Sequence, residues 1–364
     1  MNSPEDTLFL DGTAPFSLSP EEKNTHLCSE LTKLLSHHTS HCSGYDALIK
    51  NWCQVRKIDG TLEEYPYFPV NLFKEFELKS TSQKVAVVES SSTTSNNASK
   101  IFVDKVSRKR QSKSANQILS DFIGSERRPY IVFDVESTVR GSKGFSARGA
   151  AILSLAHLAS KFYFVMKEAN GVLEVDIPAL ESALSEIGHK PFISYGFTFI
   201  LYQAHEQMNK LGWKYSSHPD SRFLHSGGWK KLVEIAVDKQ SFNRTVALPW
   251  NIQPANVIDF YGTVEQIGMA YPDCEHGYKH VPYWADVLMR RADSLEVCDT
   301  GETGLIQLIS ALPLAAPNHS VLTEDLGVVV LEDGCKCGRR GRAFLFKGRA
   351  PRSETRGCSD VVRR

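Results

Sequence analysis

The chain opens on helical periodicity and then changes rhythm. Ser19-Pro20-Glu21-Glu22 combines an N-cap serine, a proline at the first helical position and a glutamate that completes a capping box. Leu27, Leu31, Leu34 and Leu35 then share one apolar stripe. Tyr45, Leu48, Ile49 and Trp52 predict a second helix with one apolar face. Between Tyr65 and Val70 two prolines force extended backbone. The β-branched run from Lys84 to Val88 predicts a strand that empties into Ser90-Ser91-Ser92-Thr93-Thr94-Ser95-Asn96-Asn97.

Farther along, short apolar runs alternate with helical stretches. Strands are predicted over 130–133, 162–166, 192–195 and 222–224, and helices over 147–160, 178–187, 197–211 and 230–238. This alternation predicts an α/β fold with largely parallel sheets covered by helices. The apolar pair Val257-Ile258 leads a further strand into the turn at Gly262. After Tyr261 the helical patterns thin out, and 281–289, 304–309 and 327–331 read as strands of a smaller β-rich subdomain. The expected organisation is a helical region 1–80, an α/β core 81–265, a β-rich part 266–347 and a tail 348–364. The basic stretch 105–114 reads as a solvated helix or loop rather than a nucleic-acid patch.

Composition narrows the classes. A chain of 364 residues, 41% apolar and 23% charged, can bury a large core. Lys+Arg and Asp+Glu are both 42, so the formal net charge is zero and neither nucleic acid nor an anionic membrane is demanded as partner. The first residues are acidic and lack the apolar core of a signal peptide. No apolar run approaches the roughly 20 residues of a membrane span. The expectation is a cytoplasmic protein whose eight cysteines stay reduced. Such cysteines are candidates for metal binding or catalysis, or they are small core hydrophobes.

Six places offer chemistry. Asp259-Phe260-Tyr261-Gly262-Thr263-Val264-Glu265-Gln266 puts a ring at a strand end and a carboxylate just past the turn, where α/β sheets hold ligands. A flat ring suits an adenine, and a hard oxygen suits magnesium; the plain alternative is a core strand with a polar turn. Ser91, Ser92, Thr93, Thr94 and Ser95 offer hydroxyls and backbone N–H groups to phosphate oxygens, with Lys100 close in sequence, unless this is only a polar loop. Gly227 and Gly228 make a turn that lets a ligand approach backbone, or an ordinary turn. Asp325 is a carboxylate that could accept both hydroxyls of a ribose, or an exposed loop residue. Cys274, His280, Cys335 and Cys337, with His276 as an alternative imidazole, form a soft ligand set suited to zinc, or four unliganded side chains. Near the end, Arg349, Arg352 and Arg356 surround Cys358 and favour its thiolate, which makes it an acyl-acceptor candidate or a spectator thiol.

From Tyr65 to Asp360 the chain resembles the acyl-protein synthetases of bacterial bioluminescence operons, adenylate-forming enzymes related to phenylacetate–coenzyme A ligases. The resemblance rests on Phe68-Pro69-Val70-Asn71-Leu72-Phe73-Lys74, Tyr195-Gly196-Phe197-Thr198, Gly227-Gly228-Trp229-Lys230-Lys231 and Tyr261-Gly262-Thr263-Val264-Glu265-Gln266. Tyr271-Pro272-Asp273-Cys274-Glu275, Cys337-Gly338-Arg339, Gly348-Arg349 and Arg356-Gly357-Cys358-Ser359-Asp360 extend it. It implies an adenylate-forming N-terminal-domain-like fold that lacks the full C-terminal domain. It also implies ATP-dependent activation of a fatty acid as acyl-adenylate, with magnesium, followed by transfer to a protein cysteine that supplies a partner acyl reductase. On that resemblance 81–265 is the nucleotide-binding core and Ser91 to Ser95 are the phosphate loop. Gly227 and Gly228 form the adenine-side turn, Tyr261 is the adenine contact and Glu265 the magnesium-linked carboxylate. Asp325 is the ribose ligand, Arg349 the hinge arginine and Cys358 the acyl acceptor. The competing readings are a ligase that moves an aryl or acyl group to coenzyme A or a carrier protein, and a degenerate non-catalytic subunit.

Overall fold

The computed structural model describes residues 8–89, 99–140, 147–169, 171–229 and 234–351. Helices α1 (Pro20–His41) and α2 (Ser43–Val55) precede β1 (Phe68–Pro69), the short α3 (Leu72–Glu75), and the antiparallel pair β2 (Ala86–Glu89) and β3 (Lys100–Val103). Then follow α4 (Lys105–Ile123), β4 (Arg128–Val132), α5 (Ser137–Arg140), α6 (Ala147–Ser154), β5 (Ala159–Phe164), β6 (Met166–Ala169) and β7 (Val172–Val175). The run α7 (Ile177–Ile187), β8 (Ile193–Phe197), α8 (Thr198–Lys210), β9 (Arg222–Ser226), α9 (Lys239–Ala247), β10 (Val257–Tyr261) is the predicted alternation. The rest is almost all strand: β11 (Tyr271–Pro272), β12 (Lys279–His280), β13 (Ala285–Arg290), β14 (Thr303–Ser310), β15 (Ser320–Leu331) and β16 (Ala343–Arg349).

Two large sheets result. One has the order β11-β10-β9-β8-β4-β5 and is parallel except for β11. Its strands are apolar on both faces, as a helix-covered parallel sheet requires. Ile131, Phe133, Phe192, Phe223 and Val257 pack under α7, α8 and α9. Tyr130, Val132, Ile193, Tyr195, Leu224 and Ile258 face the opposite way, into a core shared with α1, α2, α4 and the second sheet. That second sheet runs β12-β16-β15-β14-β13, antiparallel throughout, with β1 added in parallel to β15. Residues from the N-terminal helical region therefore belong to the same core as the β-rich part. Leu27 and Leu31 of α1 are fully buried there, each worth about 2 kcal/mol of transfer free energy. The capping box forms as read: the Glu22 N–H donates to Ser19 Oγ at 3.2 Å, and the Ser19 N–H donates to Glu22 Oε2 at 2.9 Å.

Five expectations are corrected. The helix over 147–160 stops at Ser154, and after a single turn the chain enters β5 at Ala159, because Phe162, Tyr163 and Phe164 favour a pleated edge. Of the helix predicted over 230–238, residues 230–233 lie outside the described residues and 236–238 are not helical; Asp238 accepts from the Ser241 N–H at 3.0 Å, so it is the N-cap of a helix over Lys239–Ala247 rather than a helix end. The strand over 281–289 is broken by Pro282, which has no N–H for the ladder, and resumes at Ala285. The strand over 327–331 begins at Ser320, which places Asp325 inside β15, partly buried, instead of in a loop. The stretch 105–114 is the first half of α4, and it is not solvated all round. Ser107, Gln111 and Ser114 are buried. Ser107 Oγ accepts from the N–H groups of Leu314 and Ala315, and Trp284 Nε1 donates to Ser114 Oγ; bonded hydroxyls can enter a core at little cost.

Candidate functional site

The carboxyl ends of the parallel strands align. Phe260 lies opposite Ser226, and Phe197 opposite the same residue on the other side, so the chain leaves the sheet at Gly227 and Gly262 side by side. Gly227 has φ +80°, and a Cβ there would come within 3.0 Å of the Phe197 ring. The position therefore admits glycine and little else. Thr198, the first residue of α8, donates from Oγ1 to the Gly227 carbonyl at 2.6 Å and lies 2.9 Å from His225 Nδ1. Ser226 is tied to the Tyr195 hydroxyl at 2.7 Å. A turn braced in this way presents its backbone to the crevice in one conformation.

Across the crevice stands the end of β10. The Tyr261 hydroxyl donates to Asp325 Oδ2 at 2.8 Å, and Arg349, opposite Asp325 on β16, brings Nε to 3.9 Å from Oδ1. The Tyr261 ring is buried and stacks on Phe346 with centroids 4.9 Å apart, so it offers an edge and a hydroxyl to the crevice rather than an open face. Burial raises the Asp325 carboxyl above the ordinary aspartate range, with the Tyr261 hydrogen bond and Arg349 pulling it back. Glu265 is buried on the turn after Gly262, and its carbonyl accepts from Asn318 Nδ2. Gln266 Nε2 donates to the Asn318 carbonyl at 2.7 Å, which locks this turn to the start of β15. These contacts bring Gly227, Tyr261, Gly262, Asp325 and Arg349 to one end of the two sheets.

Beneath the strand end lies a charged network that sequence reasoning missed. Lys279 Nζ is 2.8 Å from Asp259 Oδ2 and 3.4 Å from Asp273 Oδ1; Lys239 Nζ is 2.7 Å from Asp273 Oδ2; His225 Nδ1 is 3.6 Å from Asp259 Oδ1. Burial works against the charge on Asp259, but Lys279 and His225 outweigh it and hold the carboxyl below its usual value. Burial also holds His225 near a pKa of about 4, so it is neutral. Asp259 was visible as the head of its motif. Its partners were not, because Lys239 and Lys279 carry no local signal.

Several expected residues fall elsewhere. Ser91, Ser92, Thr93, Thr94, Ser95 and Cys358 lie outside the described residues. Lys100 begins β3 and pairs with Glu77 at 3.0 Å. Gly228 has open space where a Cβ would stand. Two surface clefts are lined without the crevice residues: one by Phe16, Asp121, Cys337 and Arg339, the other by Tyr202, Glu206 and Lys210 of α8.

The soft ligand set converges. One ligand atom from each of Cys274, His280, Cys335 and Cys337 lies within 4.8 Å of every other. His280 is buried, with Nε2 at 3.3 Å from Cys337 Sγ. Burial pushes the Cys274 thiol up to about 12 and His280 down to about 4 in the unliganded chain.

Among the described residues no helix is long and apolar enough to cross a membrane. A long-chain-fatty-acid–luciferin-component ligase of Vibrio harveyi is 24% identical over 366 residues, covering 98% of this chain and 91% of that protein. The ligase of the same name from Aliivibrio fischeri is 23% identical over 290 residues, covering 77% and 74%. An open conformation of 2-hydroxyisobutyryl-CoA ligase in complex with 2-HIB-AMP and CoA superposes with a TM-score of 0.65 at 12% identity, over 95% of this chain and 81% of that one. The same ligase in its thioesterification state gives 0.67 at 12%, over 95% and 73%. At such identity the likeness shows the fold alone. The family model described as acyl-protein synthetase, LuxE, matches residues 2–364, and the chain belongs to that family.

Proposed function

We propose that the chain activates a fatty acid with ATP as an acyl-adenylate and passes the acyl group to the thiol of Cys358, from which a partner acyl reductase takes it. The observation that carries this reading is the meeting of Tyr261, Asp325 and Arg349 beside the Gly227 turn, at the carboxyl edge where parallel sheets take nucleotides. Adenine lies against the backbone of Gly227, Gly228 and Gly262. Asp325 accepts from the ribose hydroxyls, and Tyr261 fixes the orientation of that carboxylate. Arg349, more than two-thirds exposed at the end of β16, is the hinge arginine of this reading. Ser91 to Ser95 give hydroxyl and N–H donors to the phosphates, and Lys100 adds positive charge nearby.

Glu265 fits magnesium: it is a hard carboxylate with no hydrogen-bond partner among the described residues, on a turn locked by Asn318. Magnesium, when bound, offsets charge that builds on the phosphate oxygens. In the first step a fatty-acid carboxylate oxygen bonds to the α-phosphorus as the bond to pyrophosphate breaks. In the second, Cys358 gives its proton to solvent. Its sulfur then bonds to the acyl carbon as the bond to AMP breaks. Arg349, Arg352 and Arg356 favour the thiolate this step needs.

Pyrophosphate exchange into ATP with a panel of fatty acids, followed by intact-mass measurement, tests both steps. Exchange with long-chain acids and a one-acyl mass adduct are expected. Cys358→Ser should keep the exchange and lose the adduct. An adduct that survives in Cys358→Ser, or a thioester released on coenzyme A instead, would overturn the reading.

A further inference from the structure

The cysteine–histidine cluster has no part in the chemistry above, yet it is assembled with care. Cys274 sits in a tight turn after β11: its N–H donates to the Tyr278 carbonyl at 2.8 Å, and the Gly277 N–H donates back to the Cys274 carbonyl at 2.8 Å. Cys335 and Cys337 sit in a second tight turn between β15 and β16, closed by the Gly338 N–H on the Cys335 carbonyl at 3.0 Å. Both turns end on a glycine in the left-handed region, Gly277 at φ +80° and Gly338 at +85°.

We propose that Cys274, His280, Cys335 and Cys337 hold one structural zinc ion that ties the two large sheets together. Three thiolates and an imidazole form a closed tetrahedral set with no open position, the signature of a structural site. Zinc–sulfur bonds of about 2.3 Å and zinc–nitrogen bonds of about 2.0 Å put tetrahedral ligands roughly 3.5–3.8 Å apart. Ligand atoms within 4.8 Å of one another, with the Cys337–His280 pair at 3.3 Å, need only a small contraction to reach that geometry. Arg339, at the mouth of the cleft beside Cys337, lies where it offsets the net negative charge of such a site.

The connectivity says what the ion does. Cys274 follows β11, which pairs with β10 of the parallel sheet; His280 belongs to β12, which pairs with β16 of the antiparallel sheet. Cys335 and Cys337 lead into β16 itself. The ion therefore clamps the partner of the Tyr261 strand to the strand that ends at Arg349. Zinc content at these four ligands is measured independently of nucleotide binding.

Elemental analysis of the full chain, purified without chelator, should find about one zinc per chain that survives dialysis. Cobalt substitution should give the intense spectrum of a tetrahedral thiolate site. Cys335→Ser and Cys337→Ser should lose the metal and lower Tm, while Cys53→Ser, at an exposed cysteine, should keep both. Folded wild-type chain that binds no zinc even after zinc is added, or whose intact mass shows two of these cysteines joined in a disulfide, would overturn the proposal whatever the variants do.

Discussion

The two sheets follow opposite rules. The parallel sheet is apolar through its body, and its polar side chains gather where the strands end: His225, Ser226, Asp259 and the turns at Gly227 and Gly262. The antiparallel sheet carries polar groups inside it. Arg290, fully buried, donates to Gln307 at 2.6 Å, and Asp286 sits between Lys23 and Arg342. The first sheet can offer a ligand only an edge. The second contributes Asp325 and Arg349 to that edge and sets Phe346 against the Tyr261 ring. The candidate site is therefore a joint, and the proposed zinc clamp spans the same joint from the other side.

Acid acts on both sheets through buried histidines. Burial holds His205 and His225, on the parallel side, to pKa values of about 4, and His319, in the antiparallel core, to about 3. An unfolded histidine titrates near 6.5. In the window below that value the unfolded chain binds protons the folded chain refuses. Stability present above pH ~6.5 is then lost as pH falls towards about 4, by up to about 3 kcal/mol per histidine. Thermal melts from neutral pH downward should show a steep fall in Tm; a flat Tm would mean that these rings are not held neutral in a dry core.

A second cut removes the antiparallel contribution. Hydrogen bonds to a charged group are worth about 1.5–3 kcal/mol, so Asp325→Ala should slow pyrophosphate exchange about 100-fold. The fold should survive, because Asp325 sits in a carboxylate-raising environment whose loss costs little. Tyr261→Phe is the finer cut. It keeps the ring against Phe346 and deletes only the hydroxyl on Asp325, so exchange should fall about 10-fold. If both variants exchange at the wild-type rate, the joint is not the nucleotide site.

Much of the fold was legible because its signals are local. The capping box at Ser19 and Glu22, the leucine stripe of α1 and the alternation through β8, β9 and β10 each depend on neighbours within a few residues. The misreadings came where local signals compete. Asp238 looked like the end of a helix and is the start of one. Asp325 stood among polar residues that suggested a loop, and pairing with Arg349 drew it into β15. Ser107 and Ser114 read as surface because their buried partners, Ala315 and Trp284, lie far along the chain.

By itself the sequence determined which groups were available and what backbone they required. It supplied glycine where a left-handed turn passes under Phe197, two-faced apolar strands for a covered sheet, and three thiols with an imidazole of matched softness. Tertiary structure decided which of them meet. Tyr261 and Asp325 are 64 positions apart, and His280 and Cys337 are 57. They touch because β10 and β12 are placed against β15 and β16. Sheet pairing is set by the summed burial of whole strands rather than by any residue at the contact, so short-range pattern carries no record of it.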